Sequence, residues 1–229
     1  MANNKNINKT IIIAVDGTAA SGKGTLAKKI AHHYNFAYLD TGKIYRAVAY
    51  LMLGDSHPPS PPISDEDLAI YHARKLATMD DPSPLLSLPE LGMDKYGNQA
   101  SKIATIPELR TSLKEFQQNF ARTPHANFKG AVLDGRDIGT VICPDADVKL
   151  YISASPEIRA QRRHKELSAQ KDAPPLADII ADIKARDERD SKRAIAPLEM
   201  ANDAYNIDTS NMTSAQVFET ARAHIDNRL

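Results

Sequence analysis

The chain has 229 residues, 42% of them hydrophobic, with 29 basic side chains balanced by 29 acidic ones. That length and apolar content are enough for a buried core and exclude a chain disordered throughout. A formal net charge of zero argues against a general binder of nucleic acid or acidic membrane, and no run approaches the roughly 18 apolar residues of a membrane span.

The start, Met1 to Thr10, is polar and has no signal-peptide core, so a cytoplasmic protein is expected. The apolar run Ile11 to Val15 predicts a buried strand, and Asp16 follows it. Next come Gly17, Thr18, Ala19, Ala20, Ser21, Gly22, Lys23, Gly24 and Thr25, which match the phosphate-loop pattern G-x-x-x-x-G-K between a strand and a helix. Glycines let the backbone approach phosphates and turn successive N–H groups inward. The opening helix adds its positive end, and Lys23 adds a full charge. The strict pattern has a hydroxyl directly after the lysine; here Gly24 stands there and Thr25 follows one residue later.

The first helix places Leu26, Ile30 and Tyr34 on one stripe. Phe36 to Leu39 reads as a second strand, followed by Asp40-Thr41-Gly42 and a helix to about Leu53. His57 to Pro62 reads as an extended connector, and Ser64 as the N-cap of a helix with Asp67 three residues on. Asp80 to Gly97 mixes prolines and glycines with apolar residues and reads as an irregular insertion. Pro107 opens a helix with Leu109, Leu113, Phe116 and Phe120 on one stripe.

Ala131 to Leu133 is a third strand, followed by Asp134-Gly135-Arg136-Asp137. The only cysteine, Cys143, cannot form an internal disulfide and reads as a small buried residue beside Pro144. No His/Cys cluster offers a zinc site, and the seven scattered histidines receive no role. Val148 to Ile152 and Tyr205 to Ile207 are the fourth and fifth strands. Strands separated by helical patterns imply an α/β fold with a mostly parallel sheet covered on both faces. Such sheets bind ligands beyond the carboxyl ends of their strands, where the phosphate loop and both Asp-Gly-containing segments collect.

Between the last two strands, Ser155-Pro156-Glu157 opens a helix carrying Arg159, Arg162 and Arg163. After Pro174-Pro175 a further helix carries Ile179, Ile183, Arg186, Asp190 and Arg193 at spacings that put all five on one face. Two readings stay open for that face: a solvated one with i,i+4 ion pairs, or mobile positive charge that closes over phosphates.

Four segments together resemble the bacterial-type cytidylate kinases: Asp16 to Thr25, Leu39 to Arg46, Asp134 to Val141, and Ile183 to Leu198. The likeness runs, with gaps, from about Ile11 to Tyr205. It implies one P-loop kinase domain with a five-stranded parallel core, an inserted monophosphate-binding region over 41–129 and a mobile helical lid over 156–193. The implied reaction is ATP plus CMP or dCMP giving ADP plus CDP or dCDP with Mg²⁺, a step of pyrimidine nucleotide metabolism. It implies a monomer acting on small nucleotides, without nucleic acid or membrane.

Carried over by position, Gly17 to Thr25 would hold the ATP phosphates, and Asp134, through water, and Thr25 would serve the Mg²⁺. Thr41, Tyr45, Arg46 and Arg136 would bind the acceptor phosphate. Ser101, Arg110 and Asp137 would read cytosine. Arg186 and Asp190 would hold the ribose, and Arg189 and Arg193 would come down on the phosphates. Lys23, Arg136, Arg189 and Arg193 form the implied catalytic set. Tyr45 could instead be core, Ser101 a helix-start residue, and Arg110 a snorkelling neighbour of the Leu109 stripe.

Two departures stand out. Thr41 occupies a position where the family commonly has serine, and 80–99 lacks the family's glycine-rich hairpin with its Ile-Arg-Thr stretch. The rival activities are a kinase of UMP, AMP or a hydroxylated metabolite, and a nucleotide-binding regulatory module. The N-K-x-D tetrapeptide of guanine switches is absent.

Overall fold

Alternation along the first strand sets up two apolar layers. In β1 (Ile11–Gly17) Ile12 and Ala14 enter one layer and Ile13 and Val15 the other, as a side-chain period of two requires. The computed structural model describes residues 10–54, 63–124, 127–168 and 173–229. The connector expected over 57–62, with His57, lies outside the described residues.

β1 is the centre of a parallel five-stranded sheet with β2 (Ala37–Asp40), β3 (Gly130–Gly135), β4 (Val148–Ser153) and β5 (Tyr205–Asp208), in the order β2-β3-β1-β4-β5. Each expected strand is present. The register sets Asp40 beside Asp134 and Asp16 beside Gly135. Three carboxylates therefore leave the sheet at one carboxyl-terminal edge.

One layer packs under α1 (Lys23–Tyr34) and α9 (Ser214–Asp226) through Leu26, Ile30, Val217 and Ile225. The other packs under α2 (Thr41–Gly54), α3 (Asp65–Ala77), α5 (Asp94–Ile103) and α6 (Pro107–Arg122), with Ile44, Leu76, Leu91, Leu109 and Leu113 fully buried. Burying one such side chain is worth about 1.5–3 kcal/mol. An exposed ion pair such as Arg74–Glu108 is worth about 0–1. The apolar layers, not the balanced surface charge, hold the sheet edge in place.

Ser64 caps α3 as its spacing predicts, its hydroxyl accepting the Asp67 N–H at 3.1 Å. Ser155 does the same for α7 (Pro156–Ser168), accepting the Ile158 N–H at 3.3 Å. Phe116 and Phe120 sit at the margin of the core, half-buried, while Leu109 and Leu113 fill it. Cys143 is buried, and burial, with Asp145 adding to it, pushes its thiol up to about 11. Native protein at pH 8 should resist a thiol reagent, while denatured protein should titrate its one cysteine. Rapid labelling of the native form would contradict this burial.

Two expectations need correction. The segment 80–97 is irregular only at first, through the short α4 (Ser83–Leu86) and a 3-10 turn at Pro89–Gly92. From Asp94 it is the regular helix α5. Gly97, which reads as a breaker in sequence, sits inside that helix against the Arg46 guanidinium: a Cβ there would stand 2.6 Å from Nη2 and displace it. Among the described residues of 41–129 no strand occurs.

The second correction concerns α8 (Leu176–Ser191), which stops before Arg193. Arg193 therefore does not continue its helical face. The chain folds back beyond Lys192, and the buried Arg193 donates from Nε to the Asp190 carbonyl at 3.2 Å. α7 and α8 pair over a small apolar cluster of their own, Ala160, Ile179 and Ile183. Among the described residues no helix is long and apolar enough to cross a membrane.

Candidate active site

The loop joining β1 to α1 is shaped by close approach. Gly17 lies at φ +149°, and a Cβ on it would stand 2.0 Å from the Ile152 carbonyl oxygen of β4. No other residue fits there. Gly22, also left-handed, caps α1 without a side-chain bond, so the free N–H groups of the first helical turn face the loop. Lys23, first in the helix, holds its Nζ 3.8 Å from Asp134 Oδ1. Burial, and then the nearby Arg136, push Lys23 down to about 8. An anion in the loop would relieve both effects.

A cleft of about 640 Å³ opens beside this loop, lined by Thr25, Tyr38, Arg162, Thr209 and Met212 among others. Two arginines outside the expected site set brace the loop, and Arg162 also lines this cleft. Arg162 donates to the Ser21 carbonyl at 3.3 Å and to the Thr209 carbonyl at 2.6 Å. Arg159, 2% exposed, donates from Nε to the Ala154 carbonyl at 2.8 Å and from Nη1 to the Ala19 carbonyl at 3.2 Å, and pairs with Asp187 of α8 at 2.5 Å. α7 thus grips the phosphate loop from outside. Its charge is visible in sequence, but partners as far as 141 residues away leave no local signal.

On the other side of Lys23 lies a cavity of about 210 Å³. It gathers Thr41, Tyr45 and Arg46 from α2, Ser101 from α5, Arg110 from α6, Asp134, Arg136 and Asp137 from the end of β3, and Arg186, Asp190 and Arg193 from α8 and just beyond. Arg189 is half-buried and does not line it; its Nη1 is buried without a hydrogen-bond partner. Thr25 lies on the other cleft.

Asp190 is the hub. It accepts from Arg136 Nε at 2.9 Å and from Ser101 Oγ at 3.3 Å, with Arg186 Nε at 3.9 Å. Burial opposes its charge, but Arg136, Arg186 and Arg193 together hold the carboxyl below its usual range. Cations remain in excess. Burial, then Arg136, push Arg186 down to about 10, and Arg186 Nε and Arg193 Nη2 are buried without a hydrogen-bond partner. A cavity that strains its own cations and leaves donors unspent is built for an anion. The face of α8 is accordingly not a solvated one.

The rival readings of single residues separate here. Ser101 lies inside α5 and starts no helix. Arg110 does not snorkel: it is 7% exposed, pairs with the buried Asp137 at 2.5 Å, and donates to the Ala104 carbonyl at 3.3 Å. Tyr45 packs partly against the core and also lines the cavity, its ring 5.6 Å from the Arg110 guanidinium. Arg46 donates to the Leu91 and Met93 carbonyls at 2.7 and 3.1 Å. Thr41 donates its hydroxyl proton to the Asp134 carbonyl at 2.8 Å, so it must turn before it can donate to a phosphate.

Among the described residues no group of three or more His, Cys, Asp or Glu could hold a metal ion by itself. A Mg²⁺ ion usually takes only one or two carboxylates from a protein and the rest of its shell from phosphates and water. Asp134 offers a buried carboxylate whose Oδ2 accepts the Tyr38 hydroxyl at 2.8 Å. A Cβ on Gly24 would stand 3.1 Å from that oxygen, so glycine keeps the carboxylate uncrowded on that side. The donor set suits the ion.

The family model described as cytidylate kinase matches residues 13–227. The chain belongs to the cytidylate kinase family. Similar relatives are the cytidylate kinases of Bradyrhizobium diazoefficiens, 50% identical over 88% of this chain and 89% of that one, and of Brucella ovis, 46% identical over 95% and 94%. The cytidylate kinase of Paramagnetospirillum magneticum is 46% identical over 95% of this chain and 98% of its own. In structure, an uncharacterized protein from Eubacterium ventriosum shares the fold, with a TM-score of 0.53, 16% identity, and coverage of 96% of this chain and all of the other. Membership of the cytidylate kinase family makes this chain a nucleotide-binding phosphotransferase built on an α/β core.

Proposed function

We propose that this chain transfers the γ-phosphoryl group of ATP directly to the phosphate of CMP or dCMP, giving CDP or dCDP. The observation that carries the reading is the pair of spaces meeting at Lys23: a phosphate loop with its cleft on one side, and a cation-rich cavity holding the buried Ser101, Arg110 and Asp137 on the other.

In this reading the loop N–H groups and Lys23 hold the donor phosphates in the larger cleft. The acceptor phosphate lies between Arg46 and Arg136, whose planar guanidinium groups offer paired donors in fixed geometry. Thr41 and Tyr45 complete its surroundings. Arg186 and Asp190 flank the ribose, and Arg189 and Arg193 offset charge as the α7–α8 lid settles. Thr25 and, through water, Asp134 would hold the Mg²⁺, which supplies charge neutralisation on the phosphates.

No general base is needed, because the attacking oxygen of a nucleoside monophosphate is already anionic. The protein's task is to align two anions, cancel their repulsion and exclude water as a competing acceptor. ATP and nucleoside monophosphates are kept inside cells, so the proposed activity belongs in the cytoplasm. In this reading the enzyme acts as a monomer on small nucleotides.

Cytosine is read by complementary polarity. Its exocyclic amine donates and its ring nitrogen accepts, whereas uracil reverses both. A carboxylate, a guanidinium and a hydroxyl in one buried set can satisfy cytosine and leave uracil unmatched. A coupled ADP-release assay over CMP, dCMP, UMP and AMP tests this. CMP and dCMP should turn over with kcat/KM at least ~10²-fold above UMP and AMP. Equal values for CMP and UMP would reject cytosine selectivity, and ADP release indifferent to any monophosphate would reject the kinase reading.

A further inference from the structure

Asp16 ends the central strand one residue before the phosphate loop, and the scheme above gives it no work. It is 4% exposed, and both of its carboxylate oxygens are engaged. Oδ1 accepts the N–H of Ile138 at 2.8 Å, and Oδ2 accepts the N–H of Gly139 at 2.7 Å. Those amides open the wide helical turn Ile138–Ile142, where the first N–H groups lack intrahelical acceptors. They follow directly on Arg136 and Asp137.

One side chain on the donor strand therefore fastens the backbone that carries two acceptor-side groups. Space on the far side is tight. A Cβ on Gly139 would lie 3.1 Å from Lys149 Cδ and 3.4 Å from Asp16 Oδ2. The arrangement is costly, since burial drives the Asp16 carboxyl up to about 7 against the pull of the two amides. A purely apolar strand end would avoid that cost but would leave both amides unpaired.

We propose that Asp16 is a positioning residue that ties segment 136–139 to β1, so that Arg136 and Asp137 keep a fixed distance and angle to the phosphate loop. It touches neither nucleotide. The proposal rests on the acceptor-side reading of Arg136 and Asp137. Asparagine has the size of aspartate but only one acceptor oxygen, and its amide N–H₂ would face a backbone N–H. The segment would shift, and a misplacement of about 1 Å can cost on the order of 10²-fold in rate.

The test compares wild type, Asp16→Asn and Arg136→Ala in steady-state kinetics on CMP, and in calorimetric binding of ADP alone. Asp16→Asn should lower kcat/KM for CMP by on the order of 10–100-fold, while the Kd for ADP moves by less than about twofold. Unchanged CMP kinetics, or equal losses for CMP and ADP, would overturn the proposal. Wild-type turnover by Arg136→Ala would instead overturn the acceptor-side reading and leave the clamp itself standing. Amide hydrogen exchange on the wild-type protein gives a second measurement that needs no variant. The Ile138 and Gly139 amides should be strongly protected, and exchange as fast as an open loop would refute the clamp.

Discussion

Arg136→Ala should lower kcat on CMP by on the order of 10²–10³-fold, the usual cost of losing one preorganised donor to transition-state charge. Arg136 lines the acceptor-side cavity beside Lys23, where the two spaces meet. It lowers the proton affinity of Lys23 on the donor side and binds Asp190 on the acceptor side. Folding should survive its loss, because Asp190 retains Ser101 at 3.3 Å and Arg186 at 3.9 Å. Thermal unfolding and steady-state rates, measured on the same preparation, separate the two effects. Arg136→Lys keeps the charge and loses the planar fork, so its rate should fall between the two. Wild-type turnover by the alanine variant would remove Arg136 from the catalytic set.

Asp137→Ala should damage stability and base choice together. Arg110 and Asp137 form a pair with side chains only 7% and 9% exposed. Removing the carboxylate leaves a guanidinium in a desolvated pocket near Arg193, which already bears Arg110's repulsion. Breaking a buried pair from one side costs about 3–5 kcal/mol. Arg110 keeps its bond to the Ala104 carbonyl and its place by the Tyr45 ring, which favours the lower end of that range.

At roughly 2–4 °C per kcal/mol for a chain of this size, Tm should fall by about 6–12 °C. The CMP-to-UMP ratio of kcat/KM should fall as well. Removing both partners, Arg110→Met with Asp137→Ala, should recover much of the stability, since no unpaired charge remains buried, but none of the discrimination. A variant Asp137→Ala with unchanged Tm and an unchanged ratio would show that the pair serves neither purpose.

The assembly of the cavity shows where sequence reading succeeds and fails. Ser101, Arg110 and Asp190 were singled out by position in a resemblance, and the structure draws them from three separate helices to one wall. Their rivals were local readings, and these failed for a shared reason: a helix stripe says which face is inward but not which cavity it meets. Gly97 is the sharper case. As a letter it breaks a helix; in place its missing side chain leaves room for the Arg46 guanidinium. Arg193 was assigned to a helical face by spacing, and reaches the same cavity only because the chain turns back after Ser191.

What the sequence determined by itself was whatever local patterns encode. Period-two apolar runs produced the strands, 3.6-residue stripes the helices, and the order glycine, glycine, lysine the phosphate loop. Parallel strands with helical crossovers then left the functional segments at one edge. The tertiary structure alone decided which side chains touch. Arg159 reaches Ala19 across 140 residues, Asp16 reaches Ile138 across 122, and Arg162 reaches Thr209 across 47. Such contacts depend on burial and on angles set by the whole packed core, and no short stretch of chain contains that information.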